Sequence, residues 1–157
     1  MPETLHPTPS AVTEQTCWLP RRRRSAGAAR RLLRAFLSRH EGGEHYVEVG
    51  ELLLSELVTN AIEHAHVPPD RLIMVHFALT EGRLRIEVHD PGDHHLDTGA
   101  AVGPPAPDAE SGRGLWLVRR LSDQWGCQAR TSGIGKAVWC TVAPASPTSP
   151  TARRSAA

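Results

Sequence analysis

Apolar residues along this chain recur with two periods, and the switches between them lay out the elements. From Ser25, read as a helix N-cap, Ala29, Leu32, Leu33, Phe36 and Leu37 fall at helical spacing, and Gly42-Gly43 ends the run. A second helix is expected over about 44–66. Val49, Leu52, Leu53, Leu57, Ala61 and Ala65 form its apolar face, and Pro68-Pro69 stops it. The period then changes to two. Ile73, Val75, Phe77 and Leu79 alternate in one strand, Glu81-Gly82 makes a turn, and Leu84, Ile86 and Val88 alternate in the next. A third helix over about 113–122 has Leu115, Val118 and Leu121 as core positions. A final hairpin pairs 124–131 with 136–142 around Ser132-Gly133-Ile134-Gly135, and Thr13 to Leu19 reads as a short first strand. These elements predict an α+β fold, a two-layer sandwich with helices on one face of a mostly antiparallel mixed sheet.

Register carries two consequences. Asp90 continues the parity of Leu84, Ile86 and Val88, so its carboxylate is expected on the helix-covered side of the sheet, the side of Glu56 and Asn60. A polar group there needs a partner. In the final hairpin, a turn symmetric about Gly133-Ile134 sets Thr131 against Lys136 and Cys127 against Cys140. Directly opposed residues lie within disulfide reach, but a reducing compartment keeps such a pair as small buried thiols.

Three segments fall outside the periodic pattern. Residues 1–11 hold three prolines and no period and read as a disordered tail, as does the Pro/Ser/Thr/Ala-rich stretch 144–157. Between them lies one domain, 12–143. Inside it, residues 93–111 have no apolar period and contain three prolines and two glycines; loops of this length in compact domains are functional lids or disordered. No internal repeat is visible.

Composition narrows the classes. In 157 residues, a 39% hydrophobic and 22% charged content is that of a globular domain with a real core. No apolar run approaches the roughly 20 residues of a membrane span. MPETLHPTPS lacks a signal-peptide pattern, so a cytoplasmic location is the expectation. Cys17, Cys127 and Cys140 form no CxxC pair, which argues against structural zinc. Net charge is +1, yet eight of the eighteen basic residues lie between Arg21 and Arg39. That run reads either as a solvated helix face or as a docking surface for an acidic protein. Nucleic-acid binding ranks behind both, because no aromatic residues interleave with the arginines.

The candidate chemistry sits in three short stretches. Glu56-Leu57-Val58-Thr59-Asn60-Ala61 puts Glu56 and Asn60 four residues apart on one helical face. Asparagine is a poor mid-helix residue, so Asn60 calls for a reason. Asp90-Pro91-Gly92 alone is an ordinary turn sequence. Gly112-Arg113-Gly114-Leu115, opening an apolar helix, suits backbone N–H groups laid against phosphates. Arg113 meets a phosphate or points to solvent.

In this order the three stretches resemble the N box (ELVTNAIEH, Glu56 to His64) and the two glycine boxes of the GHKL ATPase superfamily, whose Bergerat-type ATP-binding fold matches the predicted sandwich. With Leu19-Pro20, the helix start at Ser25 to Arg31, SELVTNAIEHA, HDPGD, GRGLWLV and GKAVW, the chain most resembles the anti-sigma-factor serine/threonine kinases of bacterial partner switching, over roughly Thr13 to Val142. The resemblance implies ATP and Mg²⁺ as cofactors. Asn60 would be the metal ligand and Glu56 the catalytic base. Asp90 and Gly92 would read adenine, with His64, Gly112, Arg113, Gly114 and Leu115 completing the nucleotide site and 93–111 serving as ATP lid. It further implies a sigma factor and an anti-sigma-factor antagonist as protein partners, and allows a homodimer.

Three features depart from the pattern. Glu63 stands where histidine kinases carry a basic residue. Ala137 stands where the kinase subfamily often has a threonine, so a hydroxyl expected near the adenine is missing. No dimerisation helix pair with a phospho-acceptor histidine precedes the domain, and His40 and His45 flank Gly42-Gly43, a poor place for one. A transition-metal site at His64-x-His66 or His94-His95 lacks the neighbouring ligands such a site needs. Beside the kinase reading stands an alternative, an ATP-binding regulatory module without phosphotransfer.

Overall fold

The computed structural model describes residues 13–63, 70–80, 82–90, 113–129 and 135–146. Five strands form one sheet in the order β1-β2-β3-β5-β4: β1 (Thr13–Pro20), β2 (Leu72–Thr80), β3 (Arg83–Asp90), β4 (Gln124–Ala129) and β5 (Lys136–Val142). Among the described residues all four pairings are antiparallel, where a mixed sheet was expected. Helices α1 (Arg24–Ser38), α2 (Val47–Glu63) and α3 (Arg113–Leu121) cover one face, with α2 in the middle against β3 and β5. The period-two pattern places its apolar set inward. Ile73, Val75, Phe77, Leu84 and Ile86 are wholly buried beneath Leu33, Phe36, Leu37, Leu53, Leu54 and Val58.

Several boundaries differ from the sequence expectation for local reasons. Ser25 does not cap α1. It lies inside the first turn, where its hydroxyl donates to the Pro20 carbonyl and ties the helix to the end of β1. The helix stops at Ser38, before the glycine pair. Gly42 takes a φ of 76°, and a Cβ at Gly43 would stand 2.0 Å from the Leu37 carbonyl oxygen, so this corner demands glycine. A 3₁₀ turn at Gly43–Tyr46 then leads into α2, which therefore begins later than its pattern suggested.

On α2, Gly50, Leu54 and Val58 are buried, whereas Leu52 is 40% exposed. A helix enclosed by sheet, α1 and α3 buries a wider arc than a single seam, and the arc is centred elsewhere than expected. On α3, Val118 is buried, but Leu121, in the last turn, is 42% exposed. Leu115 is half-buried.

The final hairpin is shifted by two residues from the expected register. Cys127 pairs with Val138, and Cys140 with Trp125; Lys136 faces Ala129. A slip of two preserves which face each side chain takes, so hydrophobic alternation could not detect it. Cys127 and Cys140 become diagonal neighbours, and both thiols are free. Burial pushes Cys140 up to about 12 against the pull of Arg85, and raises Cys127 against that of Lys136.

Part of the arginine-rich stretch fastens α1 to its neighbours. Arg30 donates to Ser55 at 2.8 Å, Arg34 pairs with Glu51 at 2.6 Å, and Arg21 donates to the Ile62 carbonyl near the end of α2. Arg22, Arg23 and Arg24 are exposed. No helix among the described residues is long and apolar enough to cross a membrane.

Candidate functional site

The site forms where the middle helix crosses the end of the sheet. Leu57, Asn60 and Ala61 share one face of α2, as their spacing of three and four requires. Opposite them, β3 ends at Asp90 and β5 begins at Lys136, and these two residues are direct partners in the antiparallel ladder. The pocket between them is small, about 20 Å³. Leu57, Ala61, Val88 and Val138 supply apolar walls; Asn60, Asp90 and Lys136 supply the polar ones. Asp90 is 1% exposed, so the parity argument that turned it inward holds.

Glu56 stands one turn before Asn60 on α2 and is half-buried, outside the walls of this pocket. Burial raises its proton affinity, and the negative charge of Glu63 raises it further. Glu63 itself is exposed and lines, with Arg23, Thr59 and Ile62, a groove of about 250 Å³ on the next face of α2. The residue that departs from the histidine-kinase pattern therefore acts electrostatically on the candidate base.

The structure thus brings Asn60 and Asp90 to one pocket, with Glu56 beside it. Gly112 and Gly92 lie outside the described residues, as do His64 and the segment 93–111. Arg113 and Gly114 open α3, and the side chain of Arg113 is likewise outside the description; Leu115 is not a wall of the pocket. The histidine pairs weighed above as a metal site, and disfavoured there, also fall outside the described residues. Among the described residues no group of three or more His, Cys, Asp or Glu is placed to hold a metal. An Asn60 amide oxygen suits Mg²⁺, which needs few protein ligands when phosphates supply the rest.

One polar wall was missed from the sequence. The hydroxyl lost at Ala137 was expected to matter near the base, but Ala137 pairs with His89 and takes the opposite parity, away from the pocket. The position facing the pocket is Lys136, only 7% exposed. Its shared parity with the inward-facing Val138, Cys140 and Val142 is the sequence signal that puts it on the pocket side.

The α+β sandwich thus has an apolar pocket at the end of its sheet, with an inward carboxylate and an asparagine on the covering helix. The profile of the histidine kinase-like ATPase domain matches residues 19–142, and the chain belongs to that family. Among curated proteins, it is 31% identical over 88 residues to proteins named serine-protein kinase RsbW in several strains of Staphylococcus aureus. Those matches cover 50% of this chain and 55% of each relative, so the aligned part spans about half the length of the curated relatives. A crystal structure of RsbU and RsbW domains from Mycobacterium tuberculosis superposes with a TM-score of 0.63 over 87% of this chain and 34% of that one. At 20% identity this likeness speaks to the fold.

Proposed function

We propose that this protein is a Mg·ATP-dependent serine/threonine protein kinase of the anti-sigma-factor type. It transfers phosphate to a hydroxyl of an anti-sigma-factor antagonist and binds a sigma factor in alternation with that antagonist. The observation that carries the reading is the arrangement on α2: a carboxylate of raised proton affinity, Glu56, one turn from Asn60, which shares a pocket with the buried Asp90. The names of the similar Staphylococcus aureus proteins support the same activity.

In this reading Asp90 accepts a hydrogen bond from the adenine amino group, and the apolar walls cover the faces of the base. Asn60 would hold Mg²⁺ against the phosphates, where the ion offsets negative charge. Glu56 takes the proton from the attacking hydroxyl, a role favoured when its pKa approaches the working pH. Phosphorylation adds nearly two negative charges to the antagonist, enough to break a docked interface and free the domain for the sigma factor.

The test compares wild type and Glu56→Gln, with radiolabelled ATP and the cognate antagonist. Retained nucleotide binding with transfer reduced at least 100-fold is expected. Equal labelling would remove Glu56 from the chemistry. If wild type binds ATP and labels nothing, the domain is the regulatory module that the like charge of Glu63 near Glu56 favours.

A further inference from the structure

Lysine is among the residues least often buried, because its ammonium loses hydration that an apolar surrounding does not replace. Lys136 is nevertheless 7% exposed, and it lies against a pocket rather than in a packed interior. Its register partner is Asp90, at 1% exposure, on the adjacent strand. Both residues line the pocket from adjacent strands, one bearing a carboxylate that only accepts hydrogen bonds and the other an ammonium that only donates them. The walls around this couple are Leu57, Ala61, Val88 and Val138, which suit the flat faces of an aromatic base.

An acceptor beside a donor matches one edge of a purine in a definite order. Adenine presents its 6-amino group, a donor, next to ring nitrogen N1, an acceptor. Guanine presents the reverse, an acceptor O6 next to a donor N1–H. With Asp90 opposite position 6, the neighbouring ammonium finds a lone pair in adenine and an N–H in guanine.

We propose that Lys136 is a specificity-determining residue of the nucleotide site, donating a hydrogen bond to N1 of adenine while Asp90 accepts from the 6-amino group. The inference rests on the ATP reading of the pocket and adds a second base contact, from a residue that no motif marked. Selection against guanine then comes from a donor facing a donor as well as from the carboxylate.

Calorimetric titration of the full chain with Mg·ATP and with Mg·1-deaza-ATP, which carries C–H in place of N1, tests this directly. Wild type should bind ATP about tenfold or more tightly than the deaza analogue, the size of a hydrogen bond to a charged group. Lys136→Met keeps the length of the side chain, removes the ammonium, and should bring the two ligands to equal affinity. Lys136→Arg should restore part of the preference. Equal affinities in wild type overturn the proposal without any variant, so a folding defect in Lys136→Met cannot shelter it. A loss in Lys136→Met of the same factor for both ligands also overturns it, because the lysine then makes no contact specific to N1. Failure of the underlying reading looks different: wild type would bind neither ligand, or Asp90→Asn would leave ATP affinity unchanged.

Discussion

At the scale of single residues, two carboxylates of this chain are perturbed in opposite directions, and each gives a pH signature. Glu56 is raised, by burial first and by Glu63 second. A carboxyl with a raised folded pKa favours the fold while protonated, so its contribution weakens as pH rises through that pKa. Glu56→Gln should therefore be at least as stable as wild type at pH 7. The difference should vanish in denaturant titrations below about pH 4, where the unfolded glutamate is also protonated. Glu87 behaves oppositely. Burial pushes it up, but hydrogen bonds from His89 at 2.7 Å and Arg85 at 3.2 Å, with their charges, outweigh burial and hold it below the usual range. Its stabilising share is present at neutral pH and is lost as pH falls through the folded pKa. Glu87→Gln should thus lower the midpoint at pH 7 and leave it nearly unchanged at pH 2.5. Asp90→Asn, in the pocket itself, replaces one acceptor oxygen with a donor; ATP affinity should fall about tenfold or more by calorimetry, with the circular dichroism spectrum unchanged.

At the scale of elements, α2 is the piece that joins stability to function. It carries Glu56 and Asn60 on the side that meets the end of the sheet, and it approaches the sheet through Gly50. A Cβ at Gly50 would lie 3.1 Å from a Leu84 methyl and 3.3 Å from a Leu33 methyl, so sheet and α1 both close on this helix. Gly50→Leu should lower unfolding free energy by about 1–3 kcal/mol despite the better helix propensity of leucine. Because α2 would be levered outward, ATP affinity should fall in parallel, measured by calorimetry beside a urea titration. The final hairpin makes a second point. With Cys127 diagonal to Cys140, mild oxidation should leave three titratable thiols per unfolded chain, whereas a directly opposed pair would have offered a ready disulfide.

At the scale of the whole molecule, one buried cluster runs from Leu19 on β1 to Val142 on β5 and includes residues of all three helices. Phe77 sits at its centre, wholly buried, its ring 5.7 Å from that of Phe36. Phe77→Ala should cost about 3–5 kcal/mol. With a single core, unfolding should remain one transition, tryptophan fluorescence and far-UV circular dichroism giving the same midpoint. Separate midpoints would mean that α1 with β1 and β2 form a unit distinct from β3, β4 and β5.

The amino-acid sequence by itself determined the order and type of the elements, the inward face of β2 and β3, the inward carboxylate of Asp90, and the pairing of Glu56 with Asn60 on one helix. Each follows from a period of two or 3.6, which is a property of the local backbone. Only the tertiary structure decided which arc of α2 is buried, because that depends on three neighbours at once. It also decided the register of the last hairpin, since a slip of two residues leaves every side chain on its own face. The separate pairing of β5 with β3 put Lys136, not Ala137, beside Asp90 at the pocket. Residues 46 positions apart in the chain were made neighbours by pairing between strands, which no local pattern encodes.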